Sequence, residues 1–345
     1  MSEIFEPAKI EHLNQLLRDA KQIVITSHRS PDGDSMGCSL GLYHYLKKQN
    51  FPVVVCHPDI APSFLHWMPG SDEILLLERE TKKVESLIAS ADLIFCLDYH
   101  HPNRTGKMED LLVAAKGAKV IIDHHRDPDK DFATILFSDI TASSTSQLIY
   151  DLIDVQDHLS LITKECGTCL YTGIVTDTGS FRFSSTSART HNIAADLINR
   201  GIRTWEAHEN LFDTNSLNKL KLVSYAMLEK LVIMPEYKTA YVWLTKEEED
   251  RFNIVKGDTE GLVNQVLSIE GIRLAGFFKE TESIIKISFR SKGDIPTNIL
   301  SRENFEGGGH LNASGGKYVG KIEDAVQKFV TILPNFVEQN KKCFE

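Results

Sequence analysis

An aspartate and two histidines, Asp123-His124-His125, close the apolar run Lys119-Val120-Ile121-Ile122. A β-branched run of this kind reads as a buried strand, so one strand end carries a carboxylate and two imidazoles. In an open parallel sheet, ligands collect just beyond the carboxyl ends of the strands. Two other predicted strands end in similar residues. Gln22–Thr26 runs into Ser27-His28-Arg29-Ser30-Pro31-Asp32-Gly33-Asp34, and Asp92–Leu97 runs into Asp98. Asp177 closes a predicted helix within Thr176-Asp177-Thr178-Gly179. A single aspartate after a strand is usually a cap or turn residue, and a single histidine is usually a hydrogen-bonded surface or core residue. That ordinary reading weakens when H-x-x-x-D-x-D, D and D-H-H all close predicted strands.

The chemistry follows from charge. Carboxylates brought within a few ångström repel strongly at low dielectric, and some would stay protonated. A pair of divalent cations removes the conflict. Mixed oxygen and imidazole donors suit Mn2+, and less distinctively Mg2+, Co2+ or Zn2+. Two such ions about 3.5–4 Å apart can bind an attacking hydroxide and stabilise charge on phosphorus.

The elements that would position these residues alternate. An amphipathic helix over 7–21 precedes the first strand, and a polar loop with Pro31 and Gly33 leads into a helix over 39–48. Further strands are expected at 52–56, 73–77, 92–97, 119–122 and 134–137, with helices at 82–90, 107–116, 144–155 and 163–176. Strand–helix alternation predicts an α/β fold with a parallel sheet and right-handed crossovers. Residues 191–231 read as a helical connector. From 232 to 345 the pattern is strand-rich, with late helices at 294–302 and 322–332, as in a smaller α/β domain. The predicted organisation is therefore a domain over 1–190, the connector, and a second domain over 232–345.

Composition excludes several classes. At 345 residues the chain is long enough for about two domains. Its hydrophobic and charged fractions, 42% and 25%, are those of a globular protein. No apolar run approaches a membrane span, and the N-terminus lacks the basic-then-apolar pattern of a secretory signal. The expectation is a cytoplasmic protein without a membrane partner. A formal charge of −10, with no long basic run, argues against coating long duplex nucleic acid. Short nucleotides remain compatible, because a small cluster of cations suffices for them. The six cysteines include one C-x-x-C, Cys166 and Cys169. A zinc ribbon needs a second such pair, so reduced, mostly buried thiols are expected.

Taken together, His28-x-x-Pro31-Asp32-Gly33-Asp34 with Gly37, then Asp98, then Asp123-His124-His125, then Thr176–Gly179 resemble the four motifs of DHH phosphoesterases. Gly307-Gly308-Gly309-His310 with Ala313-Ser314-Gly315 resembles the glycine-rich signature of the accompanying DHHA1 domain. The resemblance covers nearly the whole chain. Its compact size is similar to the nanoRNase/pAp phosphatase (NrnA-type) branch, and unlike the longer RecJ-type exonucleases. Two departures are Ser314, where two alanines are common, and the second histidine pair, His100-His101.

The resemblance implies that His28, Asp32 and Asp98 hold one metal ion, and that Asp34, Asp98, His124 and Asp177 hold the other, with Asp98 bridging. It implies that His125 faces the scissile phosphate and that Asp123 orients a histidine. His100 and His101 are expected on a solvated loop, and Arg104 either touches phosphate or pairs with a carboxylate. In the second domain, glycines let backbone amides approach an anion. Arg290, Ser291, Gly308, Gly309 and His310 are the expected nucleotide contacts, with an interdomain cleft that admits only short chains. The function so implied is hydrolysis of short oligoribonucleotides to mononucleotides and removal of the 3′-phosphate of 3′-phosphoadenosine 5′-phosphate (pAp). Rivals are a hydrolase of pApA derived from a cyclic dinucleotide, a manganese pyrophosphatase, and a nucleotide sensor without turnover. A homodimer is left open by the sequence.

Overall fold

In the computed structural model, which describes residues 4–255 and 257–345, the chain divides into two compact units, Met1–Thr214 and Asn215–Glu345. The division falls within the helical stretch 191–231. The first unit runs α1 (Pro7–Asp19), β1 (Ile23–Thr26), α2 (Gly33–Lys48), β2 (Val53–His57), β3 (Leu75–Leu76), α3 (Thr81–Ser90), β4 (Leu93–Leu97), α4 (Glu109–Ala114), β5 (Ala118–Asp123), β6 (Ile135–Ser138), α5 (Thr145–Asp154), α6 (Lys164–Asp177), α7 (Ala188–Asn199) and α8 (Thr204–Phe212). The second runs α9 (Leu217–Tyr225), β7 (Val232–Met234), β8 (Thr239–Leu244), α10 (Lys246–Arg251), α11 (Leu262–Leu267), β9 (Leu274–Glu280), β10 (Ile285–Ser291), α12 (Thr297–Asn304), β11 (Gly308–Gly309), β12 (Ala313–Tyr318), α13 (Ile322–Gln339) and α14 (Lys341–Phe344).

The first sheet is wholly parallel, in the order β3-β2-β1-β4-β5-β6. Its central strands are apolar on both faces because helices cover both. Phe95, Leu97, Val120 and Ile122 pack toward α1, α2, α5 and α6. Ile94, Cys96 and Ile121 pack toward α3 and α4 with Val84, Ile88 and Leu112. Strand order reverses between β1 and β4, which opens a crevice at their carboxyl ends, the usual ligand position in such sheets. The second sheet, β11-β12-β10-β9-β8-β7, is antiparallel except for the β8–β9 pair.

Several boundaries differ from the sequence expectation. The run at 73–77 pairs only through Leu75 and Leu76, because Ser71–Glu73 is wound into a 3-10 turn behind Gly70. The helix expected over 107–116 shortens to α4, since Gly106 breaks the preceding turn with φ 60 and ψ −119. The last long helix continues through Pro334 to Gln339, with its own Leu333 and Phe336 buried against the sheet side of the core. All six cysteines are free and five are buried, as expected for reduced thiols.

The closest helix packing in the first unit joins α2 to α6. A Cβ on Gly37 would lie 2.7 Å from the Cys169 carbonyl oxygen and 2.8 Å from Gly173 Cα. A Cβ on Gly173 would run into the Ser146 hydroxyl and lie 2.8 Å from Asp34 Oδ1. Neither position admits a side chain: at Gly37 backbone meets backbone, and at Gly173 the Ser146 and Asp34 side chains fill the space. Gly37→Ala should therefore lower stability by about 1–3 kcal/mol through overpacking. Gly308→Ala, where a Cβ meets nothing within 4 Å, should leave the melting temperature nearly unchanged. Thermal melts followed by circular dichroism compare the two.

Candidate metal centre

Each predicted motif of the first unit lands at one rim of the parallel sheet. β1 ends at Thr26, and two residues later His28 is buried with its Nε2 3.4 Å from Asp98 Oδ2 and 3.8 Å from Asp32 Oδ2. Asp32 is the N-cap of α2, where one oxygen accepts from the Asp34 and Ser35 amides. The preference of aspartate for that position fixes the loop. Its other oxygen faces His28. Asp98 follows β4 in the left-handed region, at φ 62, a conformation that costs an L-residue free energy and recurs at functional sites.

Asp34 in the first turn of α2, His124 after β5 and Asp177 at the end of α6 form a second group. His124 Nε2 lies 3.2 Å from Asp177 Oδ2, 3.9 Å from Asp34 Oδ2 and 3.5 Å from Asp98 Oδ1. Asp98 thus presents one oxygen to each group. The donor atoms of His28, Asp32 and Asp98 lie within 4.8 Å of one another, as do those of Asp34, His124 and Asp177.

Hydrogen bonds fix how the imidazoles are presented. His28 Nδ1 meets the Arg29 carbonyl at 2.8 Å, and His124 Nδ1 meets the Ala142 carbonyl at 3.3 Å. A carbonyl only accepts, so Nδ1 carries the proton in both rings. In a neutral ring, Nε2 then turns a lone pair toward carboxylate lone pairs. Such an arrangement needs either an extra proton or a cation, and the donor set of imidazole nitrogen and carboxylate oxygen fits a divalent metal.

The electrostatics carry the same signature. Burial, then the charge of Asp98, pushes the Asp34 carboxyl up to about 7. Burial, then Asp34, raises Asp177 well above the ordinary carboxylate range. Burial alone would lower His124, but Asp177 first, then Asp98 and Asp34, lift it to about 9. Burial likewise opposes the rise at His28, which its bonds to Asp32 and Asp98 outweigh.

Asp123 stands behind the site. Its two oxygens accept from the His125 backbone N–H at 3.0 Å and contact His125 Nδ1 at 2.8 Å, which fixes that ring. His100 departs from the expected solvated position. Its ring is half-buried beside His125, at 5.6 Å between centroids, and its Nδ1 is buried without a hydrogen-bond partner among the described residues. His101 pairs with Asp129 at 3.4 Å. Arg104 is exposed, and its carbonyl accepts from the Arg29 amide.

Thr145 was not singled out as a site residue by sequence reasoning. Its backbone N–H donates to Asp34 Oδ2 at 2.6 Å, and its hydroxyl donates to Asp98 Oδ1 at 3.0 Å. The Ser146 amide donates to Asp34 Oδ1 at 2.9 Å. The N-terminus of α5 therefore steadies two buried carboxylates. The hydroxyl-rich start at 141–145 signals only a helix cap, so spacing gave no sign of this second task.

In the second unit, Arg290 is the penultimate residue of β10 and pairs in register with Ala313. Gly308 and Gly309 form β11 against Gly315 and Ser314, so the glycine cluster is a narrow hairpin edge. Ser291 is buried and its hydroxyl donates to the Ile295 carbonyl, so that proton is already used. Ser314, the departure from the two-alanine pattern, is buried, donates to the Thr297 carbonyl at 2.8 Å and contacts the Ser301 hydroxyl at 2.7 Å. The His310 amide donates to the Ala313 carbonyl.

Comparison with known proteins agrees with this geometry. Residues 22–174 match the DHH family, N-terminal domain, and residues 236–339 match the DHHA1 domain. The chain is 31% identical over 299 residues to the bifunctional oligoribonuclease and PAP phosphatase NrnA of Bacillus subtilis, covering 85% of this chain and 88% of that one. It is 26% identical to the cyclic-di-AMP phosphodiesterase GdpP of the same organism, over 94% of this chain and 49% of that longer protein. A crystal structure of an exopolyphosphatase-related protein from Bacteroides fragilis superposes with a TM-score of 0.94 at 41% identity, over 99% of this chain and all of that one.

The buried acids set the pH response of the metal-free protein. Asp34 ordinarily titrates at 3.8, and its folded value near 7 means that the folded chain keeps a proton the unfolded chain has released. Stability from this group therefore falls as pH rises from about 4 to about 7. His124, ordinarily 6.5 and raised to about 9, contributes stability that is full below 6.5 and lost as pH rises through 9. Both act in one direction. The melting temperature of chelator-treated protein should fall steadily between pH 5 and 9, and added divalent cation should raise it most at the alkaline end. A chelated protein equally stable at both ends would contradict this account.

Proposed function

This chain belongs to the DHH family of phosphoesterases, and we propose that within it the protein degrades short oligoribonucleotides to mononucleotides and removes the 3′-phosphate of pAp. It is a hydrolase of phosphate ester bonds. The observation that carries the finer reading is the bridging placement of Asp98 between two imidazole–carboxylate groups, in a chain that matches an oligoribonuclease and PAP phosphatase along nearly its full length.

In the proposed centre, His28, Asp32 and Asp98 hold one cation and Asp34, Asp98, His124 and Asp177 hold the other. Mn2+ is the ion that best suits this donor set, with Mg2+ or Co2+ as substitutes. When bound, two divalent cations supply Lewis acidity at phosphorus and lower the pKa of a water. The chain's own residues do the rest. The carbonyls of Arg29 and Ala142 hold His28 and His124 in the ligating tautomer. Thr145 keeps Asp34 and Asp98 in place. Asp123 fixes the His125 ring, which contacts the scissile phosphate. In the second unit, Arg290 offers a guanidinium to phosphate, and Gly308, Gly309 and His310 border the hairpin edge that receives the nucleotide. Ser291 braces the end of β10. Arg104, exposed after β4, is proposed as a further phosphate contact. No helix of the described residues is long and apolar enough to cross a membrane. Six unpaired cysteines agree with the reducing cytoplasm as the proposed setting.

A second reading, cleavage of the linear dinucleotide pApA, is favoured by the similarity to a cyclic-di-AMP phosphodiesterase. One assay separates the readings. Labelled RNAs of two to about twenty-five nucleotides, pAp, pApA and pyrophosphate are each digested over time with Mn2+. The expected order is rapid release of mononucleotide from the shortest RNAs and of phosphate from pAp, with long RNA and pyrophosphate slow. Asp98→Asn keeps a residue type that tolerates φ 62, so its fold should persist. Its turnover should drop about 100- to 1,000-fold, the scale of losing a charge-stabilising group. Undiminished turnover in that variant would reject the assignment.

A further inference from the structure

The second unit carries a cluster of cations that the proposed site does not use. Thr239 of β8, Leu274 of β9 and Ser291 of β10 stand side by side in register. The residues just beyond them at that end of the sheet are Lys238, Arg273 and Lys292. The backbone ties them together: the Arg273 amide donates to the Lys238 carbonyl at 2.7 Å, and the Lys292 amide donates to the Arg273 carbonyl at 2.9 Å. With Gly271 and Ile272 they line an open concavity of about 430 Å³.

None of these lining residues carries a carboxylate, although the whole chain has a net charge of −10. Arg273 is half-buried, and its Nε is buried without any hydrogen-bond partner among the described residues. Leaving a buried donor of a charged group unpaired is costly. Lys238 Nζ is held by the backbone oxygens of Phe344 and Glu345 at 2.6 and 3.4 Å, which fixes it at the rim. Gly293 lies so close that a Cβ there would sit 2.8 Å from Arg273 Nη2. Two lysines flanking a guanidinium form a receptor for a tetrahedral oxyanion, which can accept from the guanidinium and the ammonium groups together.

We infer that Lys238, Arg273 and Lys292 form a second phosphate site, which holds a backbone phosphodiester of the oligonucleotide beyond the nucleotide gripped at the glycine hairpin. Asn312 links the two places. Its side-chain amide donates to Ser291 Oγ at 2.9 Å and to the Gly293 carbonyl at 2.6 Å, between the hairpin turn and the cationic rim. This inference rests on the oligoribonuclease reading above. Under it, the site adds affinity for chains longer than a dinucleotide, whose extra phosphates reach it.

The test uses full-length Asp98→Asn protein with Mn2+, so that substrate is bound and not consumed. Equilibrium anisotropy is read for labelled di- and tetraribonucleotides, with and without the added pair Arg273→Gln and Lys292→Gln. The exposed single change Lys292→Glu guards against a folding defect at the half-buried arginine. The tetranucleotide should bind about tenfold tighter than the dinucleotide, with a salt slope steeper by about 0.7 for each added phosphate contact. In the variants that ratio should fall to about one. A ratio that survives both variants, or no length dependence in the parent, overturns the second site alone. Inorganic phosphate that weakens both oligomers equally marks a site for free anion, and also overturns it. Binding of neither oligomer, together with no RNA turnover by the unsubstituted enzyme, overturns the oligoribonuclease reading as well.

Discussion

The first unit is organised around a charge conflict. Asp34 and Asp98 are buried, and Asp177 is largely so, all within reach of one imidazole. Apart from a cation or extra protons, little can hold such a group together. Fixed dipoles reduce the cost and do not remove it: the α5 amides of Thr145 and Ser146 satisfy Asp34, and the Thr145 hydroxyl satisfies one oxygen of Asp98. The folded chain therefore holds preorganised donors whose mutual repulsion is relieved by a doubly charged ion. This is also what a hydrolytic centre needs, because the cation that relieves the acids is then available to a phosphoryl group.

Tight packing delivers the acids to that point. Asp34 begins α2 and Asp177 ends α6, so these two helices must lie close enough for their polar ends to meet. Gly37 and Gly173 allow that approach by bringing backbone against backbone. The reversal of strand order between β1 and β4 supplies the crevice, and His28 and Asp98 are the residues that follow those two strands. Sheet topology and helix packing thus act on the same few side chains from two sides.

The second unit works by a different logic. Its hairpin edge places Gly308 and Gly309 against β12, so that edge presents backbone and not side chain. Departures from the family pattern are absorbed by local satisfaction. Ser314 finds two oxygen partners in the core, so the added hydroxyl leaves no unsatisfied group behind. His100 is a different case, since it stands beside His125 with a buried nitrogen unpaired among the described residues. Residue type and a loop assignment alone pointed to solvent there.

The alternation of apolar runs with helical stretches was enough to specify an α/β fold with a parallel sheet, because side-chain periodicity is a local property. The ligating types at the ends of those runs, His28, Asp32, Asp34, Asp98, His124 and Asp177, were legible for the same reason. Other features were not local. Strand order, the role of Thr145, the closeness of α2 and α6, the departure of His100 from the loop surface and the gathering of Lys238, Arg273 and Lys292 each depend on residues far apart in the chain. Long-range packing sets those distances, and no pattern within a window of sequence encodes them.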